Sequence, residues 1–195
     1  MKQFRKGLVA VLLVLALLVT SGVAETLGRP AGLASALTTG EARRDGDGES
    51  ALEVTGSRWK RKVVVMNWFK GGSNVLKTGS YGYIYDINTG IVVKIKRMGG
   101  TYHADCEPAT KADTAKLKKL AGGSFSWNRR AVILYAGGKF VACSINTMPH
   151  GEQTISSNGY DGQFCLHMAY SRTHGSNKVD ADHMYAIKRA YYWAH

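Results

Sequence analysis

Short runs in which apolar side chains recur at every second position alternate along the chain with segments dense in glycine, serine and charge. Lys62 to Met66 is a brief β-branched run, and Tyr81 to Ile87 alternates large with small or polar side chains before the turn sequence Asn88-Thr89-Gly90. Ile91 to Lys96 then reads as the returning strand of a hairpin. Arg130 to Ala136 and Lys139 to Ile145 repeat the arrangement around Gly137-Gly138, whose glycines permit the positive φ angles of a tight primed turn. Two hairpins predict a mostly antiparallel sheet.

Two stretches follow a helical period instead. Pro108 suits the first turn of a helix, Thr110 and Asp113 form a capping-box-like pair, Leu117 and Leu120 give an apolar edge, and Gly122-Gly123 stop it. The lysines on its other side form a solvated face. The second helix starts from Asp180 as N-cap and runs through Met184, Ile187, Tyr191 and Ala194 to the end of the sequence. The expected fold class is therefore α+β, an antiparallel core with two helices, the second a C-terminal clasp.

The first residues stand apart. MKQFRK is a positive n-region, Leu8 to Val19 is an apolar run shorter than a comfortable membrane span, and Gly22-Val23-Ala24 offers small residues for cleavage. Residues 1–24 read as a secretory signal peptide, with an uncleaved anchor as the alternative. Residues 25–57, centred on ARRDGDGES, lack periodicity and read as a flexible linker. Residues 58–195 have the size of a single domain. The expected location is secreted, extracellular or associated with the cell wall, with membrane contact only through an uncleaved leader.

The formal charge of +12 modifies this picture, since a leader ending at Ala24 carries three of those charges, on Lys2, Arg5 and Lys6, and leaves a basic remainder. Such a protein is drawn to anionic surfaces, and peptidoglycan or another anionic wall polymer is the expected partner. No nucleic-acid recognition motif accompanies the lysines, so nucleic acid is not an expected partner.

Candidate chemistry concentrates between Asn146 and His174, a mostly irregular stretch that holds three of the six histidines and one of the three cysteines. Three cysteines allow at most one internal disulfide, which would join Cys106 and Cys143 if Cys165 acts as a thiolate. Cys143 lies in the apolar run VACSI and reads as an inert buried thiol, whereas Cys106 falls in a loop leading into the first helix. Cys165, with His150 and His167 as available bases, reads either as a nucleophile or as a buried core cysteine. Upstream, an extended Thr101 to Asp105 puts His103 and Asp105 on one side, where they meet a ligand or simply hydrogen-bond each other. Asp105 and Glu107 also stand where they would stabilise the positive end of the following helix. His183 reads as a helix-terminal polar residue.

Met148-Pro149-His150-Gly151, followed by Gly162-Gln163-Phe164-Cys165-Leu166-His167, resembles the L,D-transpeptidase catalytic domain, in which a His-Gly pair precedes a Ser-His-Gly-Cys-Ile-Arg type motif. The resemblance covers about twenty residues, with Phe164 where the family has glycine and His167 where it has arginine. More broadly, HADCEP, SWNRRAV, MPHG, FCLH and SRTH resemble segments of a group of exported bacterial wall proteins. The resemblance implies a β-rich sandwich, a peptidoglycan stem-peptide substrate, Cys165 as the acylated nucleophile and His150 as its base. His167 joins them as a third catalytic candidate, and His103, Asp105, Gly151 and His174 are the candidate substrate contacts. This reading requires no cofactor and no metal.

Two other function classes use the same residues differently. A zinc-dependent wall peptidase would draw ligands from His103, Asp105, His150, His167, His174 and His183, with Glu107 or Asp161 as base, although no HEXXH pattern is present. A non-catalytic wall-binding module would use Trp59, Trp68, Trp127 and Tyr160 on a sugar-binding face, residue types that more often belong to a core.

Overall fold

The structure, a computed structural model, describes residues 56–60 and 62–195. The expected leader and all but the last two residues of the expected linker lie outside the described residues. A one-turn helix, α1 (Gly56–Trp59), opens the domain and delivers Trp59 into the core. Seven strands and two longer helices follow: β1 (Val63–Val64), β2 (Tyr81–Asp86), β3 (Val92–Gly99), β4 (Ala104–Pro108), α2 (Lys111–Leu120), β5 (Arg130–Ala136), β6 (Lys139–Ile145), β7 (Phe164–His167) and α3 (Ala181–Ala194). The α+β class and the mostly antiparallel pairing are as the periodicities predict.

The sheet closes on itself. Strands run in the order β6-β5-β2-β3-β4-β7, each antiparallel to its neighbour, and β7 then pairs back onto β6 through Ser144 opposite His167 and Ile145 opposite Leu166. The two facing layers are thus halves of one barrel, which buries the backbone groups an open edge would expose. β1 pairs in parallel with the start of β6.

Alternation within strands divides the side chains into two sets. Val132 and Leu134 of β5, Val141, Cys143 and Ile145 of β6, and Phe164 and Leu166 of β7 share the larger core with Trp68, Ile84, Val93, Ile95 and Tyr160. The intervening Ala131, Ile133 and Ala142 face outward and pack with Ala186, Ile187 and Ala190 of α3, beside Trp59 stacked on Tyr85. By the same rule Asp105, Cys165, His167 and Ser144 lie on the outer face. Register places Asp105 beside Cys165 and His167 beside Ser144.

Local chemistry fixes the helix starts. The Thr110 side chain accepts from the Asp113 amide and donates to its carboxylate, while Asp113 also accepts from the Lys94 amide, tying α2 to β3. Asp180 caps α3 by accepting from the His183 amide. Three local expectations change. The strand before α2 begins at Ala104 rather than Thr101, Pro108 ends that strand instead of starting the helix, and Cys106 is a strand residue of the core. Hydrogen bonding to β3 on one side and β7 on the other outweighs the loop and helix-start preferences there.

Glu107 also departs from its expected role at the helix terminus. Its buried carboxylate accepts from the Thr154 and Ile155 amides and from Asn158 Nδ2, at 2.7, 2.9 and 3.0 Å, and so pins the loop between β6 and β7. Arg97 makes a comparable anchor on the opposite charge: its guanidinium donates to the carbonyls of Ser73, Leu76, Gly99 and Gly100 and stacks over Trp68.

Candidate active site

β7 supplies the thiol. Phe164 and Leu166 anchor the strand in the core, so Cys165 between them must face outward, toward a cleft of about 230 Å³ lined by His103, Trp127, Arg129, Asn146, His150, His167, His174 and His183 among others. A larger hollow of about 520 Å³ beside α3 is lined by Ile87, Asn88, Tyr185, Lys188, Arg189, Tyr192 and Trp193, and holds no thiol, imidazole or carboxylate. Reactive chemistry therefore points to the smaller cleft.

His150 reaches Cys165 through a backbone clamp. Its amide donates to the Gln163 carbonyl and its carbonyl accepts from the Gln163 amide, at 2.9 and 2.8 Å, holding the His150 loop against the segment before β7. Gly162 makes this possible: φ is +128° there, and a Cβ would lie 2.8 Å from the His150 carbonyl oxygen and 2.9 Å from its nitrogen. Gly151, by contrast, has φ +70° but faces open space, with no backbone approaching it. His150 Nδ1 donates to the Met148 carbonyl at 2.9 Å, so Nε2 is the nitrogen left to exchange a proton with the Cys165 sulfur, 3.2 Å away.

A second imidazole group adjoins the thiol. His103 Nδ1 donates to the Arg172 carbonyl at 2.6 Å, while its Nε2 lies 3.1 Å from Asp105 Oδ1 and 2.9 Å from His174 Nε2. His174 Nε2 is 3.0 Å from the same Asp105 oxygen. His103 and Asp105 do lie side by side, although residues 101–103 are bends rather than the expected extended run, and they meet at that one oxygen.

Charges in the cleft are set by burial against partners. Burial opposes ionisation of Cys165, but His103 and His150 outweigh it and bring the thiol down to about 6. Burial likewise opposes a charge on His103, yet Asp105, the Cys165 sulfur and the Arg172 carbonyl push the imidazole up to about 10. The Cys165 sulfur also raises His150, against burial. Cys106 and Cys143 are free thiols held upward by complete burial, so neither shares this reactivity, and no cysteine is in a disulfide.

His167 takes a different place from His150. Its ring is stacked between those of His103 and His183, at centroid distances of 4.4 and 3.6 Å, and burial first, then the neighbouring His183, keeps it neutral. His183 is itself buried beside Ser144 Oγ, 2.9 Å from Nδ1, and is lowered to about 3 by burial, with the Arg129 charge adding to the effect. It is more than a helix-terminal polar residue, because it forms the floor of the histidine stack.

Comparison with protein-family models, with curated proteins and with solved structures found no match to this chain. The site therefore rests on its own geometry. Polar atoms left without partners gather there: of the four such buried side-chain atoms among the described residues, Arg129 Nε, Asn146 Oδ1 and His167 Nδ1 belong to cleft residues.

Arg129 and Asn146 were not singled out from the sequence because they carry no periodic signal, although Arg129 directly precedes β5 in SWNRRAV and Asn146 opens the stretch of candidate chemistry. Trp127 in that segment is half exposed, with its ring 5.0 Å from that of His150, whereas Trp59, Trp68 and Tyr160 are core residues. A flat sugar-binding face built from all four aromatics is thus not present.

Proposed function

We propose that the protein is an exported cysteine acyl transferase or hydrolase acting on peptidoglycan stem peptides, in the manner of an L,D-transpeptidase. The observation that carries this reading is the 3.2 Å contact between Cys165 Sγ and His150 Nε2, with His150 Nδ1 fixed by the Met148 carbonyl. A thiol of lowered pKa beside an oriented imidazole has the components of an acyl-transfer nucleophile.

In the proposed reaction the Cys165 thiol passes its proton to His150, the sulfur attacks a stem-peptide carbonyl, and a carbon–sulfur bond forms as the peptide carbon–nitrogen bond breaks. The His150 proton goes to the departing amine. An acceptor amine or water then attacks the thioester, giving up its proton through His150 and restoring the thiol. Arg129 suits a substrate carboxylate, because its Nε is unpartnered while Nη1 and Nη2 are held by the Trp127 carbonyl and Asp180. Trp127 offers an apolar wall for the peptide. The net positive charge assists encounter with anionic wall polymer.

The test is intact-mass analysis of the protein incubated with defined tetrapeptide and pentapeptide wall fragments. A covalent adduct on the wild type is expected, with none on Cys165→Ala and formation slowed roughly 10²- to 10⁴-fold in His150→Ala. Turnover of stem peptides by a folded Cys165→Ala protein at the wild-type rate would refute the assignment.

A further inference from the structure

The triangle formed by His103 Nε2, His174 Nε2 and Asp105 Oδ1 has edges of 2.9, 3.0 and 3.1 Å. Protons alone cannot satisfy it. If each imidazole donates to Asp105, two N–H groups confront one another across the short edge. If one imidazole donates to the other, the acceptor's lone pair then faces the carboxylate oxygen. With the Asp105 carboxylate ionised, every arrangement leaves one of the three edges repulsive.

A cation between the three atoms makes all three contacts favourable at once. Ligand atoms about 2.0 Å from a tetrahedral zinc ion lie about 3.3 Å apart, so the observed edges need only slight expansion. The Cys165 sulfur joins the group, since the four ligand atoms of His103, Asp105, Cys165 and His174 all lie within 4.8 Å of one another. The His103 Nδ1 bond to the Arg172 carbonyl is the kind of outer contact that orients a metal-bound imidazole. Two imidazoles, one thiolate and one carboxylate form a donor set suited to zinc over magnesium or calcium.

We propose that His103, Asp105, His174 and Cys165 bind one zinc ion, and that the bound ion holds the enzyme inactive by occupying the sulfur that would attack substrate. As the ion binds, the proton on His103 Nε2 and any still carried by the Cys165 thiol leave to solvent, and no electrons are transferred. This proposal rests on the nucleophile reading above only for its inhibitory consequence. It differs from a zinc peptidase, which needs a position for water, whereas here the thiol fills the fourth place. Glu107, a base candidate for that peptidase, is fully engaged by Thr154, Ile155 and Asn158.

Metal-free protein titrated with cobalt(II) should show saturable one-equivalent binding with tetrahedral ligand-field bands and a thiolate-to-cobalt charge-transfer band. Cys165→Ser should lose the charge-transfer band, and His174→Ala, at a residue whose side chain is 52 % exposed, should weaken zinc binding at least about tenfold without unfolding. Zinc should also slow alkylation of Cys165 by iodoacetamide, and a chelator should restore it. Absence of saturable cobalt or zinc binding in the folded wild type overturns the site, as does binding unchanged in His174→Ala. Binding without a charge-transfer band overturns the role of Cys165. If zinc binds as described but the metal-free protein forms no stem-peptide adduct, the inhibitory consequence fails and the site stands. If the metal-free protein forms the adduct but zinc never binds, the site fails and the acyl-transfer reading stands.

Discussion

Asp105 and Glu107 stand two residues apart on the same face of β4, yet their surroundings differ in completeness. Glu107 is buried and receives three donors, two of them backbone amides fixed by the loop it anchors. Asp105 is partly exposed and shares one oxygen between two imidazoles, beside a thiol. A carboxylate whose acceptors are saturated by the protein has nothing to offer a ligand, whereas one placed among competing partners retains a capacity to bind. The contrast separates an anchor from a reactive position without reference to residue type, and it extends to the rest of the outer face.

The thiols should show the largest difference. Cys106 and Cys143 have zero exposure in the core, so labelling requires opening of the barrel, while Cys165 faces the cleft. In native protein freed of metal by a chelator, iodoacetamide should modify Cys165 at least about 10³-fold faster than the others, by peptide mapping. Comparable rates at all three would dissolve the distinction.

The carboxylates themselves come next. Glu107→Ala strands buried donors and should lower stability by about 3 kcal/mol, whereas Asp105→Ala should change it by no more than about 1 kcal/mol. Urea unfolding of the two variants checks this, and equal losses would contradict it.

Gly162→Ala probes the clamp, combining strain at φ +128° with a collision against the His150 backbone. A stability loss of about 2 kcal/mol is expected. Loss of preferential Cys165 labelling should accompany it. A variant with unchanged stability and labelling would show that the clamp does not set the His150 position.

At neutral pH the smallest effect is expected from protonation of His183, emerging only in acid. Its folded pKa is about 3, against an ordinary 6.5, so as pH falls below 6.5 the unfolded chain takes up the proton first and unfolding is favoured. Stability should therefore decline from pH 6.5 toward 3, and His183→Gln should flatten part of that decline in urea titrations at several pH values. Identical slopes for the two proteins would remove His183 from the account.

The hairpin β5-β6 was legible because alternation on both arms flanked Gly137-Gly138, and the observed bounds match those read from the sequence. The helix caps at Thr110 and Asp180 were legible because capping is a local interaction. Two features were hidden for the opposite reason. β7 is four residues long, and its outward positions hold Cys165 and His167, which read as loop chemistry until β4 and β6 flank them. The convergence of His103 with His174 depends on the loop after β7 returning over β4, a contact between distant segments that no local pattern encodes. Spacing alone left His150 and His167 as alternative partners of Cys165, and only the resemblance singled out His150, which does face the sulfur; nothing local encoded that His167 would stack between two other rings.

Barrel closure also imposes an order of events on the molecule. β7 can complete the ring only when both β4 and β6 are present to receive it, and those partners come from separate regions of the chain. Pairings of this kind carry a high loop-closure cost and form late. Before that step the thiol lacks the imidazoles that lower its pKa, so fast alkylation of Cys165 becomes a clock for the last stage of folding.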